Sequence, residues 1–170
     1  GLSLLSDISA HGFGYITTTQ LLDRTAKITG TLRKMERYKG HFYNWYATET
    51  LQPLLPKYIS TVDSGNLVAN LLVFKQGLLA LAHTKTDVKK IFTGLLDTVL
   101  VYIDEGGEKE AASLKPVKER LEAICKAERM TLQEAVVQVH SLANLYSSIH
   151  EKEIDHSGDV SWWKQALSLQ

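Results

Sequence analysis

Residues 40–66 have the sequence GHFYNWYATETLQPLLPKYISTVDSGN and separate two long stretches with helical periodicity. Connections between helices are usually short, and a long connection without secondary structure of its own is usually functional or disordered. Four aromatic rings between Phe42 and Tyr46, followed by further apolar residues, make this segment too apolar for a disordered chain. The segment therefore predicts an ordered, functional loop in a helical protein.

Helical signals cover most of the remaining sequence. Apolar residues recur at helical spacing, and the runs are bounded by glycines or by capping pairs such as Thr131 with Glu134. These patterns predict an all-α fold of about seven helices in one helical domain, residues 1–170, with no internal repeat. The predicted helices lie near residues 2–9, 17–38, 66–83, 87–103, 116–124, 131–149 and 158–167.

The loop itself, residues 40–62, is predicted to contain a short β-hairpin-like element. Tyr58–Val62 is rich in β-branched and aromatic residues, and we expect it to pair antiparallel with Phe42–Tyr46. Pro53 and Pro56 fix φ and lack amide donors, so the chain between the two strands is predicted to bend rigidly.

The helix after the loop has an unusual distribution of apolar residues. Asp63 is predicted to cap a helix that begins near Asn66. Apolar side chains between Leu67 and Ala82 are spread around most of the circumference, which predicts a helix buried on most faces. Asn70 and Lys75 interrupt this run, which is too short and too polar to predict a membrane span.

Charge and cysteine content exclude several kinds of site. Nineteen basic and nineteen acidic residues balance, so no net field favours nucleic acid or an anionic membrane. A single cysteine, Cys125, excludes an internal disulfide and a cysteine-rich zinc site. The six histidines show no metal-ligand motif, and no glycine-rich phosphate loop follows a strand. We therefore expect no metal site and no bound cofactor.

The aromatic loop has the composition of a carbohydrate site. Sugars present apolar C–H faces to aromatic rings, while their vicinal hydroxyls pair with planar amide and carboxylate groups. Free amides at the start of the following helix add hydrogen-bond donors. The candidate substrate-binding residues are Tyr43, Asn44, Trp45, Tyr46, Asp63, Ser64 and Asn66.

A purely structural interpretation fits the same residues and stays open at this point. In that interpretation Trp45 and Tyr46 wedge the loop against the helix ends, and Asp63 or Ser64 only caps the helix. Glu49 and Asp63 are the acids in the loop, and their spacing does not define a carboxylate pair for glycoside chemistry. We therefore assign no catalytic residue.

The loop sequence resembles a motif of bacterial cyclic β-1,2-glucan synthases. The family motif has the form GHFxNWYDTRTLxPLPPxYVSTVDSGNLAGHL, where this chain has GHFYNWYATETLQPLLPKYISTVDSGNL. The preceding GLSLLSDISAHGFGYITTTQLLDRTAKITGTLRKMERY is also similar to the family segment before the motif. The resemblance covers residues 1–81, and the rest of the chain matches in being helical. Ala47 and Glu49 depart from it, because the family has Asp and Arg there.

The resemblance implies a fold and a function. Such synthases are large bacterial inner-membrane glycosyltransferases (hexosyltransferases) that build a glucan from UDP-glucose, and their central glucoamylase-like region is an (α/α)6 toroid that closes the linear glucan into a ring by transglycosylation. This chain would be the N-terminal half of that region, a partial toroid with the loop at the helix tips. It would be inactive alone, soluble, and on the cytoplasmic face.

The expected partners follow from the same resemblance. They are a β-1,2-glucan oligosaccharide and the remaining regions of the parent chain, together with self-association through the apolar helix at 67–82, and they include neither nucleic acid nor a direct membrane span. The alternative is a non-catalytic helical protein-interaction module in which the aromatic loop is a docking surface.

Overall fold

The computed structural model describes residues 1–85 and 87–150, and these residues form six α-helices and one two-stranded antiparallel sheet. The all-α prediction is confirmed. The seventh predicted helix, near residues 158–167, lies outside the described residues. The helices are α1 (Leu2–Gly12), α2 (Thr18–Lys34), α3 (Thr61–His83), α4 (Val88–Gly106), α5 (Glu108–Lys126) and α6 (Leu132–His150); the strands are β1 (Arg37–Tyr38) and β2 (His41–Phe42).

The chain divides into two compact units. The first contains Gly1–His11 and Thr18–Lys85, and the second contains Gly12–Thr17 together with the chain from Thr86 onward. The predictions of a single domain and of a partial (α/α)6 toroid both stay predictions.

The first unit has a buried apolar residue on each of its helices and an ion pair between α1 and α2. Leu4 of α1, Leu21 of α2 and Phe74 of α3 are buried. The buried carboxylate of Asp7 on α1 accepts a hydrogen bond from the Arg24 guanidinium of α2 at 3.1 Å. Burying a carboxylate is costly unless it is paired, so this contact fixes how α1 meets α2.

Helix α3 differs from its prediction. Instead of being buried on most faces, it leaves Val68 57%, Leu72 59% and Leu79 48% exposed, while Phe74 is its buried residue. The described residues cover only part of a helix that is apolar around its circumference; Ile8 of α1, for example, lies against Gly77. Among the described helices, α3 is long and apolar enough to cross a bilayer by length and composition, a weak criterion that core helices of soluble proteins also meet.

The second unit has the larger core. Helices α4, α5 and α6 pack side by side, with α5 contacting both of the others. Leu121 of α5 is completely buried at the centre of this cluster. The buried members of the cluster are Phe92, Val99, Tyr102, Leu114, Val117, Leu121, Ile124, Ala135 and Leu142.

The segment Gly12–Thr17 completes this second unit. Gly14 has a φ of 84° and lies so close to α4 that a Cβ there would overlap the Lys90 carbonyl. The Tyr15 hydroxyl donates to Asp97 at 3.3 Å. Burial, and then the Asp97 charge and this hydrogen bond, raise the pKa of Tyr15.

The start of α6 agrees with its prediction, whereas the start of α5 does not. The predicted capping box at Thr131 and Glu134 is confirmed, since each residue's amide donates to the other's side chain, at 2.8 and 3.2 Å. Helix α5 begins at Glu108 rather than near Pro116, which lies inside it. A proline within a helix removes one backbone hydrogen bond, and burial of neighbouring α5 residues such as Val117 and Leu121 offsets that loss.

Candidate functional site

The loop begins with a tight hairpin. Strands β1 and β2 pair Arg37 with Phe42 and Tyr38 with His41, which leaves a two-residue turn. Lys39 and Gly40 both have positive φ, 49° and 87°, as a type I′ turn requires. The small antiparallel hairpin is therefore present.

The hairpin lies earlier in the chain than predicted. The predicted pairing of Tyr58–Val62 with Phe42–Tyr46 is wrong, because α3 already begins at Thr61 and the last residues of that segment are helical. The two segments nevertheless lie close together, and the Asn44 amide donates to the Tyr58 carbonyl at 2.9 Å.

A compact bend follows the hairpin. Tyr46 forms an isolated antiparallel bridge with Pro53, and the Ala47 amide donates to the Gln52 carbonyl at 2.9 Å. Within the bend the Leu51 amide donates back to Ala47, and Leu51 has a positive φ of 58°. The Leu55–Pro56 peptide bond beyond it is cis. The bend returns the chain toward the hairpin and so brings residues 57–60 beside residues 43–46.

Two of the three aromatic candidates, Tyr43 and Tyr46, anchor the loop. The Tyr46 hydroxyl accepts from the Tyr43 amide and donates to the Glu36 carbonyl, both at 2.8 Å. The two tyrosine rings meet edge to face, with centroids 6.3 Å apart. Because its hydroxyl is used in this way, Tyr46 ties the loop to the chain just after α2.

Lys57 reinforces this anchor. Its ammonium donates to Glu36 at 2.7 Å and lies 5.2 Å from the centre of the Tyr43 ring. The hydrogen bond to Glu36 raises the pKa of Lys57. A raised lysine pKa means that the ammonium stays charged through neutral pH and loses its proton only in strongly alkaline solution.

The polar candidates join the loop to the first turn of α3. Ser60, not Asp63, is the N-cap, since its hydroxyl accepts from the Asp63 amide at 3.1 Å; the predicted Asp63 cap is wrong because α3 begins earlier than predicted. The Asn44 side-chain carbonyl accepts from the Ser60 amide at 3.0 Å, and its NH₂ donates to Asp63 Oδ2 at 3.3 Å. On the next residue, Ser64, the hydroxyl donates to the Ser60 carbonyl at 2.9 Å and lies 3.1 Å from His41 Nδ1.

Trp45 has different surroundings from its neighbours. Its indole stacks on the Tyr58 ring with centroids 6.1 Å apart and an angle of 27° between the planes. Both side chains are 54% exposed, so the stacked pair presents ring surface to solvent. Tyr58 is not among the candidate residues predicted from sequence, because its segment was predicted to be a strand; its signal is an aromatic residue two positions before Ser60, the N-cap of α3.

The predicted site residues therefore divide into three groups. Tyr43, Asn44, Trp45 and Tyr46 lie together in the loop, and Asp63 and Ser64 contact that loop from α3. Asn66 is exposed on α3 and makes no hydrogen bond with the described part of the loop. Within residues 1–85 and 87–150, no group of three or more His, Cys, Asp or Glu side chains is arranged to hold a metal ion. A role for any of these residues in binding stays a prediction.

Comparison with known proteins supports the family resemblance of the loop. The chain is 30% identical over 185 residues to the cyclic beta-(1,2)-glucan synthase NdvB of Rhizobium meliloti (strain 1021). The chain is similar to a cyclic β-1,2-glucan synthase. The similarity extends over 98% of the chain, well beyond the motif at residues 1–81, and the chain spans 6% of the length of that synthase. No model of a protein family matches the chain, and no solved structure matches it.

The two departures from the synthase motif lie in the bend. Ala47 is half-buried, and its backbone contributes both hydrogen bonds that close the bend. Glu49 is exposed at the tip of the same bend. Neither residue belongs to the hydrogen-bond network between the hairpin and α3, so the substitutions change the tip of the loop and leave its attachment intact.

Proposed function

We propose that this chain supplies part of the glycan-binding surface of a cyclic β-1,2-glucan synthase, in the region that transglycosylates the linear β-1,2-glucan and closes it into a ring. The observation that carries the proposal is the exposed stack of Trp45 on Tyr58 within a loop of the synthase motif. The similarity to the synthase from Rhizobium meliloti supports the choice of glycan.

The stacked pair has the chemistry that a sugar ring needs. An aromatic face carries partial negative charge and binds the apolar C–H face of a pyranose, and stacking on Tyr58 holds the indole in one orientation. A rigid aromatic side chain loses little conformational entropy when a ligand binds, so ordering the side chain reduces the affinity only slightly. Two adjacent rings offer contact to consecutive glucose units of one oligosaccharide.

Hydrogen-bonding groups lie next to this pair. Asp63 uses Oδ2 for Asn44, which leaves Oδ1 to accept from a sugar hydroxyl, and the Asn44 NH₂ has a second hydrogen. Their orientation is fixed by contacts to each other and to Ser60. A preformed amide and carboxylate pair suits the vicinal hydroxyls of glucose.

The activity of the whole protein is part of the proposal. We infer a bacterial inner-membrane glycosyltransferase that uses UDP-glucose, in which this segment lies on the cytoplasmic side as half of an (α/α)6 toroid. The remaining regions of that protein would supply the acids for transglycosylation, so we expect no transglycosylation by residues 1–170 alone.

The first prediction tests glycan binding at Trp45. Linear β-1,2-linked glucooligosaccharides, titrated into the protein by calorimetry or by NMR of the Trp45 indole, should bind, and Trp45→Ala should weaken binding at least tenfold. That factor corresponds to about 1.4 kcal/mol, within the range of a well-placed aromatic contact.

The matched control is Phe13→Ala, which removes another exposed aromatic ring outside the loop. It should bind like the wild type, and β-1,4-linked oligosaccharides should bind more weakly than β-1,2-linked ones. Equal affinity of the Trp45→Ala and wild-type proteins would refute the proposed site.

A second candidate function is a non-catalytic protein-interaction module. The exposed apolar residues of α3, Val68, Leu72 and Leu79, favour it, because such a stripe is typical of a helix that packs against another protein surface. In that case β-1,2-glucooligosaccharides would leave the Trp45 signal unchanged, while substitutions on α3 would abolish association.

A further inference from the structure

We propose that His41 is an additional glycan-binding residue, whose Nε2 accepts a hydrogen bond from a sugar hydroxyl. This inference rests on the proposed function, since it assigns a role in binding to a further residue of the same loop, one outside the candidate residues predicted from sequence. Three observations carry it: the hydrogen bonds of Ser64, the position of His41 in the loop network, and the exposure of its ring.

The hydrogen bonds of Ser64 determine the tautomer of His41. The Ser64 hydroxyl has one hydrogen, and it donates that hydrogen to the Ser60 carbonyl at 2.9 Å. In the 3.1 Å contact with His41 Nδ1 the serine oxygen therefore accepts, and Nδ1 carries the hydrogen. A neutral imidazole protonated at Nδ1 has its lone pair on Nε2, so Nε2 is an acceptor.

The position of His41 connects it with the proposed site. Ser64 follows Asp63, which accepts from Asn44, and the Asn44 amide donates to the carbonyl of Tyr58. A continuous series of hydrogen-bonded and sequence-adjacent groups therefore leads from His41 to the aromatic pair. Each group in this series is oriented by the next, so the His41 ring is held rather than free to rotate.

The exposure of the ring leaves its acceptor available. His41 is exposed, and its Nε2 has no hydrogen-bond partner among the described residues. Nε2 of His41 and Oδ1 of Asp63 are both acceptors, so a ligand that binds them must donate hydrogen bonds. The hydroxyls of an unsubstituted glucan, the ligand of the proposed function, donate, whereas the oxygens of a phosphate or carboxylate ion do not.

The experiment measures the tautomer and the affinity separately. In the protein labelled with nitrogen-15 and held at pH 8, where a histidine is mainly neutral, the His41 ring should show a protonated Nδ1 and a bare Nε2. Adding linear β-1,2-linked glucooligosaccharides should shift the Nε2 resonance. His41→Phe, which keeps a flat ring without nitrogen, should weaken binding about fivefold, the effect expected of one hydrogen bond.

Two further variants separate a binding role from a structural one. Ser64→Ala removes the group that fixes the tautomer, so the second tautomer should appear in the spectrum and the affinity should fall by less than in His41→Phe. His83→Phe changes another exposed histidine at the far end of α3 and should bind like the wild type.

The outcomes distinguish this inference from the proposed function. If glucooligosaccharides bind and Trp45→Ala weakens binding while His41→Phe does not and the Nε2 resonance stays in place, the role of His41 is overturned and the aromatic site stands. If the wild type binds no β-1,2-glucooligosaccharide, both proposals fail. If His41→Phe unfolds, the response of the wild-type Nε2 resonance decides.

Discussion

Gly30 and Gly94 both lie inside helices, in very different surroundings. A Cβ at Gly30 in α2 would meet nothing within 4 Å, so there is room for a side chain at this position. A Cβ at Gly94 in α4 would overlap the carbonyl group of Gly14. The sequence alone does not show which of the two glycines is closely packed. The carbonyl group that lies against Gly94 belongs to Gly14, about 80 residues earlier in the chain.

Substitution by alanine should therefore change the free energy of unfolding in opposite directions at the two positions. Gly30→Ala should raise the free energy of unfolding by about 0.5–1 kcal/mol, because alanine loses less backbone entropy in a helix. Gly94→Ala should lower the free energy of unfolding by about 1–3 kcal/mol, because backbone atoms must move to admit the methyl group. Urea denaturation of the two variants measures both changes, and a stabilising Gly94→Ala would contradict the close approach of Gly14.

At the scale of elements, the capping box of α6 makes stability depend on pH. The backbone and side-chain hydrogen bonds from Thr131 lower the pKa of Glu134. A carboxyl group whose pKa is lower in the folded state stabilises above its unfolded pKa, about 4.3, and this contribution disappears as the pH falls through the folded value.

The corresponding prediction compares Glu134→Gln with the wild type. The variant keeps a side-chain acceptor and loses the charge, so it should be less stable at pH 7 and equally stable once the wild-type carboxyl is protonated. Glu128→Gln is the control, because Glu128 makes no hydrogen bond or ion pair with a described residue. Urea denaturation at several pH values gives the comparison. A stability difference that persists unchanged in acid would show that the charge plays no part.

The elements also show how far the sequence determines this fold. Helices α2, α4 and α6 follow from local apolar spacing and capping residues, which act within one or two turns. The start of α5 was misplaced because Pro116 normally opens a helix, and burial of the surrounding side chains overrides that local preference. The hairpin was misplaced because the decisive signal is the turn at Lys39 and Gly40, not the β-branched residues near Tyr58.

The candidate site was predictable to a similar extent. Composition and motif predicted a structured loop containing Trp45, and the structure shows such a loop, while a role of Trp45 in binding stays a prediction. They could not show that Tyr46 is used as an anchor or that Tyr58 stacks on Trp45, because these contacts depend on how the bend returns the chain. His41 was missed because its significance lies in the hydrogen bonds of Ser64.

At the scale of the whole molecule, the exposed apolar stripe on α3 is a candidate surface for association. Val68, Leu72 and Leu79 lie on one face of the helix, because Leu72 is about one turn and Leu79 about three turns beyond Val68. Each large apolar side chain that leaves water contributes about 1.5–3 kcal/mol when fully buried. Association through this stripe would therefore be favourable, whether with a second copy or with other parts of a longer chain.

This leads to a prediction about association. At high concentration the protein should sediment as more than a monomer and bind a hydrophobic dye. The double substitution Val68→Gln with Leu72→Gln should reduce both effects. Leu132→Gln, at an exposed leucine that begins α6, is the matched control and should leave them unchanged. A wild-type protein that stays monomeric and binds no dye would show that the stripe has no tendency to associate.

The docking of Gly12–Thr17 on α4 has a consequence for synthesis of the chain. Tyr15 and its partner Asp97 are 82 residues apart, so the segment leaves the ribosome well before the helix on which it packs. At roughly 5–20 residues per second, this delay is about 4–16 s. The second unit therefore cannot reach its complete structure until translation has passed α4, and during that interval Phe13 and Tyr15 lack the surface that later receives their segment.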